Sequence, residues 1–202
     1  HHANLVPWQM LAQRKSLHIR YLPDVVGVPQ LSELQGLLNS KTKVVSLTAA
    51  SNALGFRLPL ASIKNQLPDD CLFVIDASQC LAHDVINVQQ LQCDFLVGSA
   101  HKFYGPTGVG FLYGKQALLN SLPPWQGGGE MIQSVSLSGS SFAQSPHRFE
   151  AGTSALGAIA GFGAALQFLQ AIDRSALATY EHHLTRYLHI ELTRLSQSLP
   201  LR

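Results

Sequence analysis

A lysine and an aspartate, each set where an apolar run gives out, are the residues of this sequence with chemistry to offer. Lys102 follows Phe95-Leu96-Val97, which reads as a buried strand, and leads into Phe103-Tyr104-Gly105-Pro106-Thr107-Gly108-Val109-Gly110. Burial disfavours an ammonium, so a lysine leaving a buried strand can act as a nucleophile and form a Schiff base with a carbonyl compound. The glycines beyond it let the backbone come close to a ligand. Taken alone, the stretch fits an ordinary turn with a surface lysine equally well.

Asp76 tips that balance. It closes a second apolar run, Phe73-Val74-Ile75, and opens Asp76-Ala77-Ser78-Gln79, at the strand end where the ligand crevice of an open α/β sheet lies. Pyridoxal phosphate needs both groups: a lysine for its aldehyde, and an anion beside the pyridine nitrogen that keeps the ring protonated and an electron sink.

These residues need elements to hold them. Apolar runs at 43–48, 71–75 and 94–97 read as strands, and patterns at 3–15, 31–38 and 60–67 read as helices between or before them. Strands alternating with helices predict a parallel sheet with a ligand edge, to which Asn52 is delivered by the first of the three strands. Residues 108–113 read as a further strand, antiparallel because the turn before it is too short for a crossover. An alternating stretch at 17–22 reads as one more strand, 121–149 as a long loop, 156–169 as a buried helix and 175–199 as an exposed one, with His182, His183 and His189 on a solvated face instead of around a metal. Asn4 is expected to cap the first helix.

Composition sets outer limits. The chain has 202 residues, 46% of them hydrophobic, enough for one large domain with a substantial core. Charged residues make up only 13%, well under the usual quarter, so part of the surface is expected to be covered by something outside this sequence. The 14 basic and 12 acidic residues are spread without a basic run, which argues against nucleic acid or an anionic membrane as partner. The longest apolar window, 155–169, is interrupted by Gly157, Gly161 and Gly163 and is too short to span a bilayer. Cys71, Cys80 and Cys93 are odd in number, lack C-x-x-C spacing and sit beside apolar runs, as expected of buried, reduced thiols in a cytoplasmic protein.

Together, Ser99-Ala100-His101-Lys102-Phe103-Tyr104-Gly105-Pro106-Thr107-Gly108, Asp76-Ala77-Ser78-Gln79, Ala50-Ser51-Asn52-Ala53-Leu54-Gly55 and His1-His2-Ala3-Asn4-Leu5-Val6-Pro7-Trp8 resemble the cysteine desulfurase and selenocysteine lyase family of class V, fold-type-I pyridoxal-phosphate enzymes. Pro123-Pro124-Trp125-Gln126-Gly127-Gly128-Gly129 and Arg148-Phe149-Glu150-Ala151-Gly152-Thr153 resemble the branch that supplies sulfur for iron–sulfur cluster assembly, and the likeness runs nearly end to end. It departs from the family pattern at Ala49, at Ala77-Ser78 and at Ala100.

The resemblance implies a three-layer α/β/α fold around a mostly parallel, doubly wound sheet with one antiparallel strand. It implies pyridoxal 5'-phosphate as cofactor and L-cysteine or L-selenocysteine as substrate, with a sulfur-acceptor protein as partner. Lys102 would be the cofactor lysine and the base for the α-proton, and His1 would stack on the cofactor ring and assist proton transfer. Asp76 would pair with the pyridine nitrogen, Gln79 and Asn52 with the phenolic oxygen region, and Ser99 and His101 with the phosphate. Thr153 would reach the phosphate of a neighbouring subunit, which implies a homodimer. The family's nucleophilic cysteine matches none of Cys71, Cys80 or Cys93. Residues 1–202 therefore read as a cofactor-domain piece of a longer protein, with an N-terminal segment and a smaller C-terminal domain lying outside it. A related class V aminotransferase or lyase, and a catalytically silent scaffold that binds a sulfur acceptor, remain the alternatives.

Overall fold

Three runs rich in β-branched and aromatic residues pair side by side at the centre of the computed structural model, which describes residues 1–199. The last three residues of the expected domain, 200–202, lie outside the described residues. The chain opens with a 3-10 turn, His2–Asn4, and helix α1 (Val6–Lys15), whose Pro7 sits in the first turn where its missing N–H is harmless. A small hairpin, β1 (Asp24–Val25) with β2 (Val28–Pro29), precedes the short helix α2 (Leu34–Leu37). Then follow β3 (Val44–Thr48), β4 (Leu72–Asp76), helix α3 (Val88–Leu91), β5 (Phe95–Ser99) and β6 (Gly110–Gly114). Helix α4 (Gln116–Ser121), a hairpin of β7 (Ile132–Ser136) and β8 (Gly139–Phe142), and helices α5 (Leu156–Gln170) and α6 (Arg174–Ser198) complete the order.

The main sheet runs β3-β4-β5-β6, with the first three strands parallel and β6 antiparallel, which is the mostly parallel α/β sheet the sequence predicts. Thr48, Asp76 and Val97 lie level in the register, so all three parallel strands deliver their C-terminal ends to one edge. Side chains alternate across the sheet. One face carries Leu47, Phe73, Ile75 and Leu96 into a core closed by Leu34, Leu60, Ile63 and Leu67, with Val88 and Leu91 packed against it. Burying a side chain such as Phe73 stabilises by roughly 2–3 kcal/mol. The other face carries the register partners Ser46 and Val74, then Thr48, Asp76 and Val97.

A second cluster joins the connection after β5 to α5. Phe103 meets Phe162 edge-on at 5.1 Å between ring centroids, and Phe162 stacks on Phe111 at 6.4 Å. That contact buries only Ala165 and Leu169 of α5, and Leu156, Ile159, Leu166 and Phe168 stay exposed, so the helix expected to be buried is covered on one stripe alone. No single helix is long and apolar enough to cross a membrane among the described residues.

Three other expectations fail for local reasons. Residues 17–22 alternate like a strand yet pair with none among the described residues, and remain irregular. Residues 60–67 form two 3-10 turns, Leu60–Ser62 and Lys64–Gln66, because Pro59 and Pro68 bound a segment too short to propagate a helix. The expected loop at 121–149 contains the β7–β8 hairpin, whose strands are diluted by serines; Ser134 and Ser141 pair their hydroxyls across it at 2.5 Å.

At the sheet end opposite the C-terminal edge, Asp94 is 5% exposed and gathers three donors: Lys115 Nζ at 2.6 Å, the Phe73 N–H at 2.7 Å and Lys64 Nζ at 3.2 Å. Burial pushes its carboxyl up, but Lys115, the Phe73 N–H and Lys64 outweigh that and hold it below the ordinary carboxylate value. A carboxyl depressed in the folded state contributes stability that is present above its unfolded pKa, about 3.9, and lost as pH falls through the folded value. Asp94→Asn in the full-length protein is therefore expected to lower the unfolding free energy at pH 7 by about 2 kcal/mol, with the difference from wild type shrinking in acid below pH ~4. Urea denaturation at several pH values reads this; a loss under about 0.5 kcal/mol, the scale of an exposed pair, would show that the cluster does not hold the sheet.

Candidate active site

Strand alternation sends Phe73 and Ile75 into the core and turns Asp76 to the opposite face, at the end of an inner strand flanked by β3 and β5. Asp76 is 7% exposed, and its Oδ1 accepts the Ser78 N–H at 3.1 Å; no other group of the described residues donates to it. Its other oxygen has no partner among the described residues and is left open to a donor from outside the chain. The backbone around it is fixed: Ala49 N–H donates to Asp76 O at 2.8 Å and Ala77 N–H to Val97 O at 3.0 Å, which carries the ladder one residue past the strand ends. Gln79 follows, half-buried, in a turn where Cys80 and Leu81 N–H groups both donate to Ala77 O.

Lys102 ends the 3-10 turn Ala100–Lys102 that leaves β5. Phe103, 2% exposed, plugs the second core cluster, while Lys102 is half-buried and makes no ion pair or hydrogen bond with its side chain among the described residues. Tight packing holds this connection. Phe103 and Gly105 N–H groups share Ala100 O at 3.0 and 2.9 Å, and a Cβ on Gly105 would stand 2.9 Å from that same oxygen. Ser99 Oγ and the ring of exposed His101 lie 3.0 Å apart at Nδ1, two polar groups beside the lysine.

Asn52 lies four residues past the end of β3, exposed on a turn in which Ser51 Oγ accepts the Ala53 and Leu54 N–H groups. The parallel strands thus bring Asn52, Asp76, Gln79, Ser99, His101 and Lys102 to one edge. Thr153 is exposed beside Gly152, in a left-handed turn at φ 83°, and bonds to none of them.

His1 is exposed, and its position is set by Asn4. Asn4 Oδ1 accepts from Ser46 Oγ at 2.6 Å and from Trp8 Nε1 at 3.1 Å, while the Asn4 backbone N–H donates to His1 O at 3.0 Å. Ser46 shares a face with Asp76, so the His1 segment rests on the side of the sheet toward which Asp76 points. Asn4 is therefore not the helix cap that the sequence predicts: α1 starts without a side-chain cap, and Asn4 bridges to a strand instead. Nothing local announces a partner 42 residues away.

The three thiols are free and buried. Burial pushes all of them up, Cys80 to about 11. Among the described residues no three His, Cys, Asp or Glu side chains gather as a metal site, and His182, His183 and His189 are exposed on α6.

Residues 1–200 match the family model described as Aminotransferase class-V. A protein of Enterobacter sp. (strain 638) named cysteine desulfurase is 45% identical over 195 residues, 95% of this chain and 48% of its own length. The apo structure of a cysteine desulfurase from Thermococcus onnurineus NA1 superposes with a TM-score of 0.91 at 33% identity, over 97% of this chain and 50% of the other. A mutant of C-DES with glycine covalently linked to its PLP cofactor superposes with a TM-score of 0.73 at 28% identity, over 82% of this chain and 46% of the other. The chain spans about half the length of the curated relatives it matches.

A thiol reacts as its thiolate. Iodoacetamide at pH 8 is thus expected to leave Cys71, Cys80 and Cys93 unlabelled in the folded full-length protein and to label all of them in urea. Rapid labelling of any one of them under native conditions, read by peptide mass, would show a reactive thiol at this site.

Proposed function

Because the chain belongs to the class-V aminotransferase family, we propose that it is the cofactor-binding part of a cysteine desulfurase that works with pyridoxal 5'-phosphate. The observation that carries this is Asp76, a buried carboxylate with an uncommitted oxygen at the ligand edge of a parallel sheet, five residues beyond whose neighbouring register partner Val97 stands Lys102. The name of the Enterobacter relative supports the reaction, and the cofactor of the C-DES mutant supports the cofactor.

The donor set fits the group. Asp76 would accept from the protonated ring nitrogen, which supplies the missing donor for its second oxygen. Asn52 and Gln79 would donate their amide N–H groups to the phenolic oxygen, and Ser99 and His101 would hold the phosphate. His1 would lie flat on the ring from the face where Asn4 and Ser46 fix its segment. When bound, pyridoxal phosphate supplies an electron sink for charge left on the α-carbon of L-cysteine or L-selenocysteine.

Lys102 Nζ would hold the cofactor and then take the α-proton, a role open to a side chain with no other partner to release among the described residues. With Cys71, Cys80 and Cys93 buried and their thiols pushed up, the thiol that receives sulfur is assigned to a segment outside this chain, from which a sulfur-acceptor protein would take it. The half-length match supports reading residues 1–202 as one cofactor domain of the larger enzyme. Thr153, unbonded to the rest of the site, would serve a second copy in a homodimer. Reduced thiols suit a cytoplasmic location.

Full-length protein loaded with the cofactor, reduced with borohydride and digested is expected to carry a pyridoxyl mass on the peptide containing Lys102. The mass on Lys115, or on no lysine, would overturn the assignment. Asp76→Asn is expected to keep most of the cofactor and to lower alanine formation from cysteine by about 100-fold; full turnover at full occupancy would remove Asp76 from the site.

A further inference from the structure

The first residue of α6, Arg174, reaches back 93 positions to the turn that follows β4. Its Nη2 donates to Leu81 O at 2.9 Å and, more weakly, to Asp84 O at 3.4 Å. The side chain is half-buried, and Nη1 is buried with no hydrogen-bond partner among the described residues. A solvent-facing arginine would bear no such cost.

We propose that Arg174 is a positioning residue for Gln79 and Asp76, acting through residues 77–84. This rests on the cofactor reading given above. Hydrogen bonds within residues 76–84 tie the turn that Arg174 holds to the edge of the sheet. Asp76 Oδ1 accepts Ser78 N–H, Ala77 O accepts the Cys80 and Leu81 N–H groups, and Cys80 O accepts those of His83 and Asp84. The segment is a run of consecutive turns, and like the end of a helix it leaves carbonyls with no partner of its own. Leu81 O and Asp84 O are two of these, and Arg174 takes both.

Both bonds come from Nη2, held in place by a planar guanidinium, whereas the ammonium of a lysine on its flexible stem would have to reach the same two carbonyls without that fixed geometry. Two more contacts bear on the same segment. His83 Nδ1 lies 2.6 Å from Glu181 Oε1, two turns further along the same face of α6, and Arg57 pairs with Asp84 at 2.5 Å. The Arg57 pair is half-exposed on both sides and open to screening by solvent, so it is the weaker tie. The Asp173 carboxylate caps α6 by accepting the Ser175 and Ala176 N–H groups, which fixes the helix end from which Arg174 projects.

The test uses the full-length protein as wild type, Arg174→Met, Arg174→Lys and Arg57→Met. Apo-protein titrated with pyridoxal phosphate gives a dissociation constant from the absorbance of bound cofactor, and hydrogen exchange on the apo-protein gives protection residue by residue. Arg174→Met is expected to weaken cofactor binding about tenfold and to speed exchange at 77–84 by a similar factor, with amides of β3, β4 and β5 unchanged. Arg174→Lys is expected to fall between Met and wild type, and Arg57→Met to match wild type in both measurements. Affinity within twofold of wild type in Arg174→Met, or faster exchange spread over the whole sheet, would overturn the proposal. Should Arg174→Met fail to fold, Arg174→Lys decides alone: wild-type affinity and exchange in it would overturn the positioning role. A wild-type protein that takes up no cofactor overturns the functional reading instead, and the exchange difference at 77–84 still decides whether Arg174 holds the turn.

Discussion

Parallel pairing is the constraint from which the rest of this molecule follows. Strands that run the same way cannot be joined by a tight turn, so each connection must leave from one edge of the sheet and return at the other. β3, β4 and β5 obey this, and everything that leaves their C-terminal ends arrives at a shared place: Asn52, then Asp76 and Gln79, then Ser99, His101 and Lys102. Period-two alternation decides the remaining question of which face each strand residue serves. Because Phe73 and Ile75 are claimed by the core, Asp76 has to turn the other way.

Two buried aspartates mark the opposite ends of this sheet, and they differ in a telling way. Asp94 is saturated, with two lysines and a backbone N–H, and serves cohesion. Asp76 is nearly as withdrawn from water and has one backbone donor. Burial alone would not separate them; the inventory of partners does. A carboxylate whose hydrogen bonding is completed within the fold has no capacity left for a ligand, while one left incomplete holds that capacity in reserve.

The strands and the edge at which they end together were legible in the sequence because each is a local pattern: an apolar run, then a polar residue at its end. The antiparallel β6 was legible from the shortness of the connection before it. Residues 17–22 misled because alternation records an amphipathic ribbon and cannot say whether a neighbour exists to pair with it. The β7–β8 hairpin was hidden by its serines, which read as loop although cross-strand hydroxyl pairing suits them. The ties that place the site, Asn4 to Ser46 and Arg174 to Leu81 and Asp84, join residues far apart in the chain, and no spacing rule links them.

The crowding at Gly105 bears on how such a protein would change over generations. A side chain there would meet the carbonyl oxygen and Cβ of Ala100, atoms with nowhere to go, since Ala100 is fully buried between β5 and the connection that follows it. Lys102, three residues before it, makes no side-chain hydrogen bond or ion pair among the described residues and could be exchanged at small cost to folding. In a lineage released from its chemistry, the lysine would be free to drift while the glycine stayed. The glycine therefore records the ancestry of the fold, and on the reading proposed above the lysine would record whether the reaction is still being selected.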